Sequence, residues 1–409
     1  MKVLLVNNHF SNTGGADVYT YRLGKLLLDK GHQVFYFATD KKPYFEEDYP
    51  YAKFFPKYTD LFSMPKNQLL KYGFKSFYSF EAGEKISMLL EEIRPDIVHI
   101  NCIFYKLTPS VLIPCYKRNI PVVMTLHGPQ MMCPSIKMMK ESKYYCNEGH
   151  CIGGNPWGCI KYKCADNSLI KSIGMVGEYL FRNTLGFYNN IAYFICPSNA
   201  VAELAERSGI KSSKLRVINN FIPQDAFDRE PKYTNNGYFL FVGRLFKEKG
   251  AHYLIEAMRK LPEDLVLHIA GDGVEEENLR NQALEYGLEN INFKGFLTGK
   301  ELEEEYKNCI ATILPCNWFE NFPTTVLESF TYGKPSLASN IGGIPEIIED
   351  GVNGFLFEPG NSDQIAECIL KFYENRDFAV QAGKNARIKA EKLYTPEKYY
   401  EKLMEIYKL

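Results

Sequence analysis

The sequence lacks several features that define whole classes of protein. No apolar run approaches the roughly 18 to 20 residues that a membrane-spanning helix needs. The opening stretch, MKVLLVNNHF, has one lysine and a short apolar run that stops at two asparagines, so it contains no secretory h-region. It also lacks Lys/Arg-rich runs, an aromatic RNA-binding motif and a GxGxxG fingerprint. We therefore expect a cytoplasmic chain with no nucleic-acid partner, and dinucleotide binding gains little support.

What is present is ordinary globular composition. The chain has 409 residues, 45% hydrophobic and 24% charged, which predicts two or three domains. Its net charge of −1 conceals an asymmetry. Residues 1–222 carry 27 Lys and Arg against 18 Asp and Glu, whereas the remainder carries 21 against 31. Two explanations stay open: solvated surface, or a basic half that rests on an anionic membrane or meets an anionic acceptor.

Short β-rich runs alternate with helical patterns in both halves of the chain. This alternation predicts an α/β fold with two Rossmann-like domains that face each other across a cleft. We place the first domain at residues 1–222, with a Cys-rich insertion at about 128–166, and the second at 223–394. A last amphipathic helix, 395–409, is expected to pack back on the N-terminal domain. The predicted strands are 2–7, 33–38, 97–101, 121–126, 193–196, 238–242, 265–270, 292–294, 310–314 and 336–338.

Two stretches do not follow this alternation. Residues 41–78 are rich in Tyr, Phe, Lys and Pro without a clear period, and residues 128–190 hold a cysteine cluster followed by a basic, aromatic helix at about 168–188. Both lie in the basic half. Each can form an acceptor or membrane surface, and ordinary insertion packing is an equal alternative.

Charged side chains in the second half suggest a ligand site. Arg244 and Lys249 directly follow a predicted strand, where ligands bind in open α/β sheets, and two cations there can neutralise a diphosphate leaving group. A salt-bridged surface is the alternative, since Glu248 lies between them. Glu320 and Glu328 stand eight residues apart in ENFPTTVLE, a spacing that suits a polyol held at a helix N-terminus. The alternative is a capping carboxylate plus an exposed helical one.

The same helix start offers backbone donors. Pro323 is a natural first helical residue, and Thr324 and Thr325 then present N–H groups to phosphate. In the first half, Gly14 and Gly15 follow the first strand and precede a helix, where glycine lets backbone approach a ligand. A Gly-Gly turn of this kind is also often structural.

Five of the 11 cysteines fall within one short stretch. Four of them, Cys146, Cys151, Cys159 and Cys164, form two pairs that could hold a structural zinc ion, with Cys133 and His150 nearby. The spacing is not a standard CxxC knuckle. Reduced packing thiols and occasional disulfides are the alternatives.

Taken together, these motifs resemble a GT-B-type retaining glycosyltransferase of family 4, the class called glycosyl transferases group 1. The resemblance runs from the Gly-Gly loop through VGRLFKEKG, HIAGDG, FKGFL, LPCNWFENFPTTVLESFTYGKPSLAS and GGIPEIIEDGVNGFLFEPG. It implies a nucleotide-sugar site in the second domain and an acceptor side in the first.

The resemblance also implies roles for individual residues. Arg244 and Lys249 match the cations that hold the donor diphosphate. Glu328 matches the carboxylate that binds the ribose, and Glu320 the one that contacts the donor sugar. His127, in TLHG, matches a histidine near the donor sugar.

Further positions are implied to shape the donor site. Gly295, Phe296 and Leu297 fall where the base is gripped, and Gly14 and Gly15 match a loop that closes over the diphosphate. The chain departs from the family pattern in two places: Gly128 replaces the usual Asp after His127, and Phe322-Pro323 replaces Phe-Gly.

The expected function is therefore a metal-independent, retaining, hexosyl-type transferase with no required cofactor. A UDP- or GDP-sugar is expected to donate its sugar to a glycan or lipid-linked acceptor in cell-envelope polysaccharide biosynthesis. The enzyme is expected at the cytoplasmic face of the inner membrane, with peripheral attachment to anionic lipid. A nucleotide-sugar epimerase on the same fold and a catalytically silent partner subunit are the alternatives.

Overall fold

The structure is a computed structural model that describes residues 1–12, 14–58, 74–141, 144–146, 149, 151–153, 155–233 and 237–408. Contacts divide the chain into two compact units. The first consists of Met1–Ser142, Cys146–Ile218 and Tyr400–Leu409, and the second of Lys143–Tyr145 and Asn219–Tyr399. The predicted domain limits at residues 222 and 394 stay predictions. His150 and residues 234–236 lie outside the described residues.

Fourteen strands are described in chain order. They are β1 (Lys2–Asn7), β2 (Gln33–Phe37), β3 (Ile97–Cys102), β4 (Val122–Thr125), β5 (Met139–Lys140), β6 (Tyr144–Tyr145), β7 (Tyr193–Cys196), β8 (Leu215–Val217), β9 (Tyr238–Val242), β10 (Val266–Ala270), β11 (Ile291–Gly295), β12 (Cys309–Leu314), β13 (Ser336–Ser339) and β14 (Gly354–Phe357).

The described α-helices are numbered in the same way. They are α1 (Gly15–Asp29), α2 (Phe80–Ile93), α3 (Leu112–Lys117), α4 (Trp157–Lys161), α5 (Leu169–Thr184), α6 (Asn199–Arg207), α7 (Gln224–Phe227), α8 (Ala251–Met258), α9 (Glu276–Glu285), α10 (Gly299–Asn308), α11 (Thr324–Thr331), α12 (Ile344–Ile347), α13 (Ser362–Glu374), α14 (Arg376–Leu393) and α15 (Pro396–Tyr407). No helix among the described residues is both long and apolar enough to cross a bilayer.

Each unit is built on one six-stranded parallel sheet. The first sheet has the order β2-β1-β3-β4-β7-β8, and the second has the order β11-β10-β9-β12-β13-β14. All the registered pairs within them are parallel. The central strands are almost wholly apolar because helices cover both faces of such a sheet. The predicted α/β class with two Rossmann-like domains is confirmed.

The strand order creates one switch point in each sheet. In the first sheet the chain turns back between β1 and β3, which are neighbours. In the second it turns back between β9 and β12. Loops that leave neighbouring strands at a switch point diverge to opposite sides and open a crevice at their carboxyl ends. Ligand sites are therefore expected after β1 and β3, and after β9 and β12.

The last helix contributes to both units. Its first residues, Pro396–Tyr399, belong to the second unit, and the residues from Tyr400 onward belong to the first. In the first unit, Tyr407 OH lies 2.6 Å from Nδ1 of His99, a residue of β3 with no exposed surface. The expectation that the terminal helix packs on the N-terminal domain is confirmed for these residues.

The described part of the aromatic stretch at residues 41–58 is packed rather than exposed. Phe10 is the centre of the cluster, with its ring 5.1 Å from that of Tyr49 and 5.9 Å from that of Phe45. Tyr49 and Phe55 are buried. Insertion packing therefore accounts for this part of the stretch, and residues 59–73 lie outside the described structure.

Candidate functional site

Lys249 and Glu320 meet at the switch point of the second sheet. Lys249 lies in the short 3-10 turn that follows β9, and Glu320 lies in the loop that follows β12. Their side chains form an ion pair between Lys249 Nζ and Glu320 Oε1. Both are largely buried, and Glu320 is only 8% exposed. Two residues that are 71 positions apart in sequence thus form one charged centre at the sheet edge.

Two glycines make this meeting sterically feasible. Gly250 has φ +74°, and a Cβ atom there would lie 1.8 Å from the carbonyl oxygen of Pro315. Gly342 has φ +59°, and its Cβ would lie 2.0 Å from the carbonyl oxygen of Glu320. The Glu320 loop is therefore in close backbone contact on two sides, and only glycine fits at either contact.

Trp318 is a member of this centre that the sequence analysis did not identify. Its indole Nε1–H donates to Glu320 Oε1 at 2.7 Å, and Lys249 Nζ lies 5.2 Å from the centre of its ring. The sequence could have suggested it, because Trp318 is one of only two tryptophans and stands two residues before Glu320. The indole and the ammonium together orient one carboxylate oxygen.

Arg244 follows the same strand as Lys249 but is exposed. Its guanidinium lies 5.1 Å from the ring of Phe246. The proposed surface alternative required Glu248 to neutralise these cations, yet among the described residues no salt bridge joins Glu248 to Arg244 or Lys249. Arg244 is thus a solvent-facing cation beside the switch point.

The N-terminus of α11 lies next to Glu320. Pro323 is its N-cap and Thr324 its first residue, one position later than predicted, and no side chain caps the first turn. The N–H groups of this turn, including Thr324 and Thr325, therefore supply partial positive charge to the loop. The Phe322 side chain lies in the core, with its ring 5.5 Å from that of Tyr394, so only its backbone faces this loop.

Glu328 lies further along α11 and does not join the Lys249–Glu320 pair. Tyr306 of α10 donates its hydroxyl to Glu328 Oε2 at 3.4 Å, and the Tyr306 ring stacks on that of Tyr332 at 5.1 Å. Glu328 is half-buried. The two carboxylates of the E-x7-E motif therefore occupy different environments, one paired with a cation and one beside a phenol.

Gly295, Phe296 and Leu297 lie on the other side of β9. β11 is an edge strand separated from β9 by β10, and it ends at Gly295, which has φ +68°. Phe296 is 64% exposed, whereas Leu297 packs against the small core beside α10. Of these three residues, Phe296 presents an apolar surface that a planar ring could stack upon.

The first unit has a polar group of its own at its switch point. Asp17, in the first turn of α1, accepts a hydrogen bond from Asn7 Nδ2 at 2.6 Å. Gly14 is the N-cap of α1 in an extended conformation, with no side-chain cap. A Cβ on Gly15 would meet no atom of the described residues within 4 Å. Packing within the described structure therefore gives no reason for glycine at position 15.

His127 follows β4 and is held by neutral groups. Its Nε2 lies 2.9 Å from Asn101 Oδ1, and its ring meets the ring of Tyr19 edge-on at 4.7 Å. Burial lowers the pKa of His127 from 6.5 to about 3, so the imidazole is neutral at physiological pH. His127 can donate or accept a hydrogen bond there but cannot act as a cation.

The candidate zinc ligands converge with Cys133. The five sulfur-bearing residues Cys133, Cys146, Cys151, Cys159 and Cys164 line one cavity of about 20 Å³ in the first unit. Within the part of the chain that the structure describes, no group of three or more His, Cys, Asp or Glu side chains is already arranged as a metal site. The cysteines are free thiols.

Two family models match the chain over nearly its full length. The model described as Glycosyltransferase Family 4 matches residues 13–226, and the model described as Glycosyl transferases group 1 matches residues 224–389. The second match contains Arg244, Lys249, Glu320 and Glu328. The first contains Gly14, Gly15 and His127.

Individual relatives are more distant. A glycosyltransferase of Methanocaldococcus jannaschii, MJ1178, is 23% identical over 389 residues, covering 95% of this chain and 92% of the relative. The lipopolysaccharide 1,6-galactosyltransferase of Salmonella typhimurium is 29% identical over 178 residues, covering 42% of this chain and 49% of that enzyme. The chain spans under half the length of several curated relatives it matches, such as 47% of the Escherichia coli O-antigen chain mannosyltransferase C.

Solved structures share the fold. Anabaena HepE in complex with UDP-glucose superimposes with a TM-score of 0.71 at 19% identity, and the alignment covers 100% of both chains. The lipopolysaccharide outer core galactosyltransferase WaaB superimposes with a TM-score of 0.63 at 19% identity, over 99% of this chain and 98% of WaaB. These likenesses establish a common GT-B architecture.

Proposed function

The chain belongs to glycosyltransferase family 4, and from this premise we propose that it transfers a sugar with retention from a UDP- or GDP-sugar to a glycan or lipid-linked acceptor. The proposed setting is the assembly of a cell-envelope polysaccharide. Relatives named for lipopolysaccharide and O-antigen synthesis, and a structural neighbour in complex with UDP-glucose, support these details.

The Lys249–Glu320 ion pair is the observation that carries the proposal. A largely buried lysine paired with a carboxylate at a switch point is a centre that an incoming dianion can reorganise. We propose that the donor diphosphate takes Lys249 as its partner, together with Arg244 and the free N–H groups of α11. Glu320 then accepts hydrogen bonds from sugar hydroxyls while it keeps the hydrogen bond from the Trp318 indole.

This exchange would stabilise the departing nucleoside diphosphate. Negative charge grows on the bridging oxygen as the glycosidic bond breaks, and we propose that the ammonium of Lys249, the guanidinium of Arg244 and the helix N-terminus receive it. These cations can take the part that a divalent metal plays in other transferases, so we propose metal-independent transfer. Glu328, beside Tyr306, is proposed to bind the ribose hydroxyls, and Phe296 to stack on the base.

The first unit offers several hydrogen-bonding groups near its switch point, beside the carboxylate of Asp17. Its neutral His127 and the amides of Asn7 and Asn101 match hydroxyl groups, which need both donors and acceptors. Since no described residue makes a packing contact that demands glycine at position 15, we propose that the Gly14-Gly15 loop leaves room for ligand. This edge is therefore the proposed side for the acceptor and for part of the donor sugar.

One helix of the first unit supports attachment to a membrane surface. α5 exposes apolar side chains along one stripe, with Ile170 82% exposed and Leu169, Ile173 and Leu180 also exposed. Trp157, the first residue of the preceding helix α4, is 60% exposed, and Lys171 is an exposed lysine of α5. Apolar side chains, tryptophan and lysine together are typical of helices that lie in a bilayer interface, so we propose peripheral attachment to anionic lipid at the cytoplasmic face of the inner membrane.

A donor screen tests the proposal directly. Purified protein would be incubated with a panel of UDP- and GDP-sugars and a mixed glycan and lipid-linked acceptor fraction, and released UDP or GDP would be measured. We expect one donor to give nucleotide release that depends on the acceptor and persists when divalent ions are omitted. The anomeric configuration of the transferred sugar should be the same in the product as in the donor. Product that stays attached to the nucleotide would indicate an epimerase, and no release with any donor would contradict the proposal.

The control for this screen is Glu320→Gln. This variant keeps the size of the side chain and one hydrogen-bond acceptor but removes the charge that pairs with Lys249. If wild type and Glu320→Gln release nucleotide at the same rate, the Lys249–Glu320 centre is not the donor site.

A further inference from the structure

The cysteine-lined cavity of the first unit is separate from the groups assigned to sugar transfer. Five thiols line it, and the remaining lining residues include two further sulfur side chains, Met138 and Met139. Among the residues that the structure describes, no carboxylate, lysine or arginine lines the cavity. Cavity walls built so largely from sulfur are not a normal outcome of apolar packing, because any aliphatic side chain would fill the same space.

Four of the five thiols are buried, and Cys146 is half-exposed. Cys133, Cys151 and Cys164 are each 8% exposed and Cys159 is 1% exposed. The four come from three separate parts of the chain: the turn after Pro129–Met131, the loop before α4, and α4 with the turn after it. Cys151, Cys159 and Cys164 also form one core cluster with Val176 of α5. The fold thus places the four thiols around the same cavity.

Polar groups lie beside two of these sulfurs. Ser135 Oγ lies 3.3 Å from Cys133 Sγ, and the Cys151 thiol donates to the carbonyl oxygen of Pro156 at 3.6 Å. A hydroxyl at this distance can donate to the sulfur of a metal-bound thiolate as an outer-shell partner.

We propose that this cavity binds one Zn²⁺ ion through the sulfur atoms of Cys133, Cys151, Cys159 and Cys164. A cavity of about 20 Å³ has room for a single ion or water molecule rather than a multi-iron cluster. Four sulfur ligands of this softness suit tetrahedral zinc. Cys133 replaces Cys146 in the set that the sequence spacing suggested, because Cys146 is the least buried of the five.

Binding would follow a balanced exchange of protons for metal. Four thiols lose four protons to solvent as Zn²⁺ enters, and the resulting site carries a net charge of −2. Lys140 is close enough to Cys164 to offset part of this charge. Since the described side chains are not already arranged around one metal position, the sulfur atoms move inward on binding.

The ion would fix a long, irregular connection. Between β4 and α5 the described chain has only short elements, a 3-10 turn at Pro129–Met131, β5 and β6, and α4. Connections of this length without regular structure are ordered at an entropic cost that a metal crosslink offsets. His127 and Gly128 begin this connection, so the metal would also steady the loop that carries His127.

Metal analysis of the full chain tests the proposal. Protein without an affinity tag would be passed through a desalting column, and its zinc content measured by mass spectrometry of the acid digest. We expect about one zinc per chain, and a thermal midpoint that falls by about 10 °C when a strong chelator removes the metal. Replacement by Co²⁺ should give the visible absorption of tetrahedral thiolate-bound cobalt, a readout that needs no variant.

Single cysteine variants assign the ligands. Cys133→Ala and Cys159→Ala should each lower the zinc content at least tenfold, whereas Cys146→Ala should retain it. Cys368→Ala, in the core of the second unit, is the control for loss of a buried thiol. Loss of zinc in Cys146→Ala with retention in Cys133→Ala would overturn the ligand assignment. Protein free of zinc after expression and after zinc addition, with free or disulfide-bonded thiols, would overturn the site, as would iron with labile sulfide.

Discussion

The switch points of the two units differ in how their charged groups are paired. After β9 and β12, Lys249 and Glu320 form an ion pair, with Arg244 and the α11 N-terminus close in sequence. In the first unit, the charged groups Asp17 and Lys106 contact Asn7 and His9, and burial lowers the pKa of the nearby His127 to about 3. The same strand topology thus supports an ion pair in one unit and contacts between charged and neutral groups in the other.

The difference shows which part of a transfer reaction each edge suits. A departing diphosphate needs fixed positive charge, which the second unit has. Hydroxyl groups need donors and acceptors, which Asn7, Asn101 and His127 of the first unit supply. The fold alone does not distinguish the two units, and the side chains at the loop ends do.

The largest expected effect is on the ion pair of the second unit. Lys249→Ala should lower kcat/KM for donor transfer by about 10³-fold, because it removes charge stabilisation of the leaving group. Lys247→Ala, an exposed residue of the same turn, should leave the rate within about twofold and is the matched control. Asn101→Ala, in the first unit, should lower kcat/KM less than Lys249→Ala does. If Asn101→Ala lowers kcat/KM more than Lys249→Ala does, the ion pair of the second unit is not the main source of leaving-group stabilisation.

A second effect separates packing glycines from ligand glycines. Gly342→Ala places a Cβ against the Glu320 carbonyl at a positive φ, so we expect a loss of about 2 to 4 kcal/mol of unfolding free energy in denaturant titrations. Gly15→Ala meets no atom and should change stability by less than about 0.5 kcal/mol while it lowers transfer. If Gly15→Ala leaves the transfer rate unchanged, Gly15 does not contribute to ligand binding.

A smaller effect is expected at the ribose carboxylate. Glu328→Gln should weaken donor binding by about tenfold, the cost of losing a charged acceptor for hydroxyl groups. Tyr306→Phe keeps Glu328 and removes only its phenol partner, so its dissociation constant should change by about threefold or less. Titration calorimetry with the donor measures both, and equal affinities for wild type and Glu328→Gln would exclude a ribose contact.

The last prediction concerns the pH dependence of stability that a buried histidine of the first unit produces. Burial, and then the nearby His127, lower the pKa of His99 from 6.5 to about 3. Between these pH values the unfolded chain binds a proton that folded His99 does not, so stability falls as pH falls below 6.5, by about 1.4 kcal/mol per pH unit. His99→Gln should flatten the slope of unfolding free energy against pH by about that amount. An unchanged slope would mean that His99 is already protonated in the folded state.

Most of the fold could be predicted because the strands are short, apolar and separated by clear turns. The prediction missed α14, since its buried face consists of alanine and glycine: Ala379, Ala382, Gly383, Ala386 and Ala390. Such a face leaves almost no hydrophobic period. It also missed β14, a four-residue strand next to a turn-rich motif.

The site was less predictable than the fold. The motif placed Lys249 and Glu320 after neighbouring strands, but only the three-dimensional contacts show that they pair with each other and with Trp318. Side-chain partners such as Asn101 for His127 come from another strand and leave no local pattern. Likewise, the spacing proposed Cys146 as a zinc ligand, whereas burial favours Cys133.

The chain order of the first unit has a consequence for biosynthesis. Its sheet centre includes His99, whose Nδ1 partner is the hydroxyl of Tyr407, more than 300 positions later. A nascent chain therefore cannot complete this unit until residue 407 has left the ribosome, by which time every residue of the second unit has emerged. The half that is translated first is the half that can finish folding last.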